Sequence, residues 1–221
     1  CQLDKVYLHE LSSYNKTVLQ RNKLLKEIHF RKDYREVLEI LDLQLIKYGR
    51  EIIRRRTVFV QELNEIIQEI HQKLSGGQEQ IVLGYEANVQ EEELEQTLQD
   101  HMERDIHLKT TTTGPHRDDL SFLVNDIDIR RFGSQGQQRT AALSLKLSEI
   151  ELVKRRVHDT PVLLLDDVLS ELDSSRQNYL LNSIENIQTL ITCTGLDEFI
   201  NHRFSVNKIY KVSGGNVTVK N

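Results

Sequence analysis

The 221-residue sequence contains no tryptophan, one methionine, two prolines and two cysteines. Cys1 and Cys193 are too few for a disulfide framework or a metal cluster, and so sparse a cysteine content suits a reducing cytoplasm. No apolar run approaches the roughly 20 residues that a bilayer-spanning helix needs, and the mean hydropathy is -0.48. A membrane span is excluded. Positive charge is not in surplus either: 29 Lys and Arg against 34 Asp and Glu leave a net charge of -5. Any contact with nucleic acid must therefore come from a local patch. The chain opens at Cys1, has its single methionine at Met102 and shows no charged-then-apolar leader, which reads as a piece of something longer.

What is present is helical periodicity. Tyr7, Leu11, Tyr14, Val18, Leu25 and Ile28 recur by threes and fours, with Arg21 interrupting one slot. A second stripe runs Leu41, Leu45, Tyr48, Ile52, Phe59, Leu63, Ile66, Ile70, with Asp33 placed to cap its first turn and Glu36 to reach back. Two such helices are expected to pack antiparallel as an arm over 3–75; a homodimeric coiled coil is the other reading of the same stripe. The register breaks at Ser75-Gly76-Gly77, and Ile81, Leu83 and Tyr85 then alternate as in a strand. Glu91 to Arg104 reads as one short acidic helix. Asp118 to Arg131 reads as a β-hairpin turning at Asn125-Asp126, and this stretch completes a connecting region over 76–131. A helix from near Ser134 to Val157 opens a third region, 132–221, where Pro161 precedes the aliphatic run Val162 to Leu165. Strand, helix, strand, helix and a terminal hairpin about Gly214-Gly215 follow, an α/β half-core.

The strongest chemical signal is that aliphatic run ending in Asp166 and Asp167. A fully aliphatic strand is expected to be buried on both faces, and carboxylates at its C-terminal end stand where open α/β sheets bind ligands. One carboxylate can hold Mg²⁺ while its neighbour orients or deprotonates the attacking water in phosphoryl transfer. A core strand ending in an ordinary helix cap is the plainer reading. Some thirty residues earlier stands Phe132-Gly133-Ser134-Gln135-Gly136-Gln137-Gln138-Arg139, and Leu169 to Asp173 follow the acids. Together these resemble the signature motif and D-loop of ABC-type ATPases. Ser-x-Gly at a helix N-terminus presents amides, a hydroxyl and the positive end of the helix dipole, and so can hold a phosphate without lysine. Leu74-Ser75-Gly76-Gly77-Gln78 spells that signature more literally, yet strand periodicity comes directly after it, so it reads as a helix C-cap and turn.

The run Thr113 to Leu120, Phe132 to Arg139 and Leu163 to Asp173, with Val18 to Lys26 upstream, resembles the RecF family of bacterial recombination mediators, relatives of the SMC-type ATPases. The resemblance spans nearly the whole chain from Tyr7. It implies a partial ABC/SMC-like ATPase head, with signature helix and Walker B strand, bearing a helical-hairpin arm. It further implies an ATP-dependent homodimer with slow ATP hydrolysis, acting in recombinational repair, replication restart and the SOS response. The implied partners are DNA, at gaps or junctions, and RecR and RecO. By resemblance, Ser134, Gln135, Gly136 and Gln137 would meet the γ-phosphate of ATP held by the opposite subunit. Asp166 would coordinate Mg²⁺. Asp167, where many ABC ATPases place glutamate, would orient water; Ser170 and Asp173 fall on the D-loop, and Thr192 or Thr194 on the switch. No glycine precedes a lysine, so the P-loop pattern is absent, and the chain alone is expected neither to hold ATP tightly nor to turn it over. A non-enzymatic module that binds DNA or RecR, or another SMC-like head, is the alternative.

Smaller features carry two readings each. Arg54, Arg55 and Arg56 with Lys47 and Arg50 form either a DNA-contacting patch or a charged helix face paired with Glu51 and Glu62. His116 and Arg117 either brace the signature loop, reach nucleotide or DNA, or make a salt-bridged turn with Asp118 and Asp119. His9, His29, His71, His101, His107 and His158 show no metal-ligand spacing and read as surface residues.

Overall fold

A computed structural model describes residues 4–28, 34–184, 186–193 and 208–220, apart from the side chains of Ser170, Glu171 and Lys220. Asp33, His29, Thr194 and the helix expected just before the terminal hairpin lie outside the described residues. The chain divides into two compact units, Cys1–Pro161 and Val162–Asn221.

In the first unit, Asp4 caps helix α1 (Lys5–Glu27) by accepting from the Tyr7 amide at 2.8 Å. Helix α2 (Tyr34–Leu74) has 41 residues, about 60 Å at 1.5 Å per residue. The two run antiparallel: Asp4 pairs with Arg55, Thr17 meets Gln44, and Arg21 meets Asp42. The apolar stripes close on each other, as Tyr14, Val18, Leu45, Ile46, Ile52 and Ile53 share one core with Leu94 and Leu98. Gly49 permits this approach, because a Cβ there would come within 2.8 Å of the Leu94 side chain and 3.3 Å of the Tyr14 ring. The far half of α2 enters a different core, in which Val60, Leu63, Ile66 and Ile67 pack with Ile81, Leu83, Val124, Ala141 and Leu152. The start of α2 packs in a third core, Leu38 and Leu41 against Leu24, Leu25 and Ile28, so one helix serves three cores.

Strands β1 (Ile81–Glu86), β2 (Asp119–Val124) and β3 (Ile127–Asp128) form an antiparallel sheet in that order, with Leu83 opposite Phe122. Asn64 of α2 donates to the Leu83 carbonyl at 2.7 Å and accepts from the Leu83 amide at 2.8 Å. The expected turn at Asn125-Asp126 is present, both residues having positive φ as a two-residue hairpin loop of type I′ requires. The second arm of the hairpin is shorter than expected. Asp128 accepts from the Arg130 amide at 2.9 Å and caps a short helix, α5 (Ile129–Phe132), so local capping overrides strand alternation. The single helix expected over Glu91 to Arg104 is two, α3 (Leu94–Asp100) and α4 (Met102–Leu108). The break falls at His101, whose Nδ1 is 2.7 Å from the Thr113 hydroxyl. Helix α6 (Gln135–Val157) completes the unit and ends as His158 turns left-handed.

In the second unit β4 (Leu163–Asp166) pairs in parallel with β5 (Thr189–Thr192), bridged by a 3-10 turn at Val168–Glu171 and helix α7 (Ser174–Ser183). Strands β6 (Ile209–Ser213) and β7 (Asn216–Lys220) form a hairpin through Gly214 and Gly215. Burial on both faces of β4 does not hold. Leu163 and Leu165 are buried while Leu164 is 70% exposed, because no described element covers that face.

Candidate functional site

Helix α6 begins in a reciprocal cap. Ser134, in extended backbone, accepts from the Gln137 amide at 3.2 Å, and Gln137 Oε1 accepts from the Ser134 amide at 3.0 Å. That arrangement uses one of the first-turn amides and leaves those of Gln135 and Gly136 at the positive end of a 23-residue helix, with no carbonyl inside it to meet. The turn faces outward: Ser134, Gln135 and Gly136 are exposed, and the adjoining Phe132 is 77% exposed. A Cβ at Gly136 would meet nothing nearer than the Ser134 hydroxyl at 3.9 Å, so the surface in front of the amides is unobstructed. The literal signature at Ser75 to Gln78 is a helix ending, with Ser75 N–H donating to the His71 carbonyl at 2.8 Å and Gly77 N–H to that of Gln72 at 2.7 Å. No helix starts there.

In the second unit, Asp166 and Asp167 are exposed at the C-terminal end of β4. The Thr192 hydroxyl, on the neighbouring strand end, donates to Asp166. The Asp167 amide donates to Thr192 twice, to its carbonyl at 3.1 Å and its hydroxyl at 3.2 Å. Asp167 is left-handed, with φ of 52°, a conformation that aspartate tolerates better than most residues. Its side chain does not cap the adjoining 3-10 turn. Burial first, and then the charge of Asp167, push the Cys193 thiol above its ordinary range. The backbone of Ser170 lies in that turn, and Asp173 caps α7 by accepting from the Ser175 and Arg176 amides, both at 3.0 Å. The Arg176 amide first, and its guanidinium further, hold the Asp173 carboxyl below the usual range. Among the described residues no group of three His, Cys, Asp or Glu side chains could hold a metal ion. Two adjacent carboxylates and a hydroxyl suit Mg²⁺ only where phosphate oxygens and water complete its shell.

Several polar residues have duties that their sequence positions do not announce. Arg21, the interruption in the first stripe, is fully buried; its Nε donates to Asp42 at 2.6 Å and its Nη1 to Asp105 at 2.6 Å and Thr111 at 3.1 Å. Burial pushes the Asp42 carboxyl up, and Arg21 pulls it part of the way back. Arg54 and Arg55 both pair with Glu51, Arg55 also with Asp4, and Arg56 with Asp118 at 2.8 Å. Arg50 pairs with Glu95 at 3.1 Å, so the four arginines of the patch are paired, and Glu62 pairs with Arg156 instead. His116 braces α1: its Nδ1 accepts from the Tyr14 hydroxyl at 2.8 Å while Nε2 donates to the Thr111 carbonyl at 3.0 Å. Burial holds its pKa below the ordinary 6.5. Gly114 sits beside it at φ of 125°, where any Cβ would overlap that tyrosine hydroxyl. Asp118 accepts from Arg56, Tyr85 and the Asn88 amide rather than pairing with its neighbours. Of the histidines expected at the surface, His9, His107 and His158 are exposed, His101 is half-buried and His71 is fully buried. A stripe of hydroxyls at Thr140, Ser144 and Ser148 on α6 is the sequence signal that points to a polar partner for His71.

No protein-family model matches the chain. Over 219 residues, 99% of its length, it is 58% identical to the DNA replication and repair protein RecF of Agathobacter rectalis, and it is 44% identical over 230 residues to that of Halalkalibacterium halodurans. The chain spans 60% and 62% of these two relatives. A solved structure described as the recombination mediator protein RecF-ATPrS in the RecFOR pathway superposes with a TM-score of 0.86 at 36% identity, over 98% of this chain and 59% of that one. A second, described as RecF-ATP, gives 0.85 at 35% identity. Among the described residues no helix is long and apolar enough to cross a membrane.

Proposed function

Because this chain belongs to the RecF family, of whose curated members it spans about three fifths, we propose that it supplies the signature turn and the magnesium-binding strand end of an ATP-gated, DNA-binding dimer. The observation that carries this reading is the outward-facing start of α6, where a capped serine, an unobstructed glycine and two first-turn amides converge on solvent. Such a surface suits a phosphate presented by a second copy. Ser134, Gln135, Gly136 and Gln137 would hold the γ-phosphate of ATP bound to the opposite subunit. Asp166, with Thr192 steadying its carboxylate, would hold Mg²⁺; Asp167 would orient the attacking water. Asp173 and Ser170 would carry the state of one site toward the other. When bound, Mg²⁺ supplies the charge that offsets the triphosphate.

In this reading ATP works as a joining ligand, since each copy contributes part of both sites and binding free energy drives closure on DNA at gaps or junctions. RecR and RecO would act with the closed dimer. The arginines of α2 do not favour an arm that grips DNA by charge, since Arg54, Arg55 and Arg56 are each matched by a carboxylate. The test is ATP-dependent dimerisation of the intact protein, followed by light scattering, in unaltered and Ser134→Arg forms. Loss of dimerisation with monomeric ATP binding nearly intact is expected, and unchanged dimerisation would overturn the role given to Ser134.

A further inference from the structure

Behind the Ser134 turn lies a circuit of side chains, hydrogen-bonded except at a 3.3 Å ion-pair contact between His71 and Glu79, that joins it to the end of the long helix α2. Gln137, whose Oε1 completes the cap, donates through Nε2 to Glu79 Oε1 at 3.0 Å. The other oxygen of Glu79 lies 3.3 Å from Nε2 of His71, and the opposite ring nitrogen, Nδ1, is 2.8 Å from the Ser144 hydroxyl. Ser144 donates to the Thr140 carbonyl at 2.8 Å, and Thr140 donates to the Gly136 carbonyl at 2.7 Å, which returns to the turn. His71, Thr140 and Ser144 are completely buried.

A Ser144 hydroxyl turned toward the ring would leave a neutral His71 with its proton on Nε2, a state that ¹⁵N spectra distinguish from an imidazolium. With the Ser144 hydroxyl donating to the Thr140 carbonyl, 2.8 Å away, His71 Nδ1 donates to the Ser144 oxygen. A neutral imidazole would then present the lone pair of Nε2 to a carboxylate oxygen, two acceptors facing each other in a buried place. A proton on Nε2 removes that conflict and converts the contact into a charge-assisted pair.

We propose that His71, held as an imidazolium by Glu79, is a positioning residue of the signature turn: the pair fixes Gln137, and Gln137 fixes the amides of the first turn of α6. The proposal rests on the nucleotide reading above only for the use to which the turn is put. It makes the C-terminal end of α2 and the phosphate-facing turn one mechanical piece, so that a shift of either end is felt at the other.

The experiment uses the full chain, labelled with ¹⁵N at histidine and, separately, uniformly. At pH 7 both ring nitrogens of His71 are expected in the protonated form. In Glu79→Gln, whose carboxamide can still accept from Gln137 and can donate to the ring, Nε2 returns to the unprotonated form with the fold intact. In Glu79→Ala, hydrogen exchange at the Gln137 amide accelerates about fivefold to tenfold, the scale of losing one helix cap, while far-ultraviolet dichroism is unchanged. An unprotonated ring nitrogen on His71 in the unaltered chain overturns the proposal without any variant, and so does Gln137 exchange that ignores Glu79→Ala. Dimerisation with ATP is scored separately. If the turn responds to Glu79→Ala but Ser134→Arg leaves dimerisation untouched, the circuit stands and the nucleotide reading falls.

Discussion

Carboxylates occur in two contrasting settings in this molecule. Asp42 and Asp105 sit in the first unit around a buried guanidinium, each 2.6 Å from Arg21, with Thr112 donating to the second oxygen of Asp105 through its amide and hydroxyl. Asp166 sits in the second unit in the open, its described partner a threonine hydroxyl. The first arrangement consumes charge: one guanidinium removed from water is shared by two carboxylates, and burial and the neighbouring Asp105 push the Asp42 carboxyl up. The second conserves charge at a surface where an incoming cation and its phosphates can use it. Residues of one chemical type thus do structural work where they are enclosed and remain available for binding where they are not.

The sharpest way to break this comparison is Arg21→Ala. Removing the cation strands Asp105 in the interior, and the expected loss is about 3–5 kcal/mol of stability, the usual result of orphaning one partner of a buried pair. Urea denaturation measures it. An intermediate effect concerns pH. His116 is held below its ordinary value of 6.5 by burial, so as pH falls past 6.5 the unfolded chain takes up a proton that the folded chain resists. Stability is therefore complete above that pH and declines as acidity carries it toward the folded value. Melting temperature followed down to about pH 5 should fall in the unaltered chain and fall less in His116→Gln, in which a carboxamide can serve both Tyr14 and Thr111. The smallest effect on folding is expected from Asp166→Asn, within about 0.5 kcal/mol for an exposed side chain. Its consequence belongs to binding: magnesium-dependent association with ATP in the intact protein should be lost, as calorimetry would show. A large destabilisation from Asp166→Asn, or a negligible one from Arg21→Ala, would erase the distinction.

Local rules made much of this fold readable. Period located α1 and α2, period with a cap at Ser134 located α6, the Asn125-Asp126 pair located the hairpin turn, and the aliphatic run located β4. The same rules placed Ser134 at a helix start and rejected the more literal Ser75 to Gln78, because a helix dipole stands behind a motif only where helical periodicity continues downstream of it. Features built from distant partners were not readable. Arg21 looked like a flaw in a stripe because Asp42 and Asp105 come 21 and 84 positions later. His71 resembled any helix-surface histidine because Ser144 lies 73 positions on. Leu164 looked buried because burial depends on what covers a face, which alternation along one strand does not state. The partition of α2 among three cores was hidden for the same reason, since an unbroken stripe does not say when its neighbours change.

The two hydrogen bonds from Asn64 to Leu83 have a further consequence. Strand β1 lies at the margin of its sheet, and an uncovered margin is a template on which another chain can add a strand. A single carboxamide reaching from α2 occupies both the donor and the acceptor at the centre of β1. At that position an incoming strand finds neither a donor nor an acceptor free to pair with.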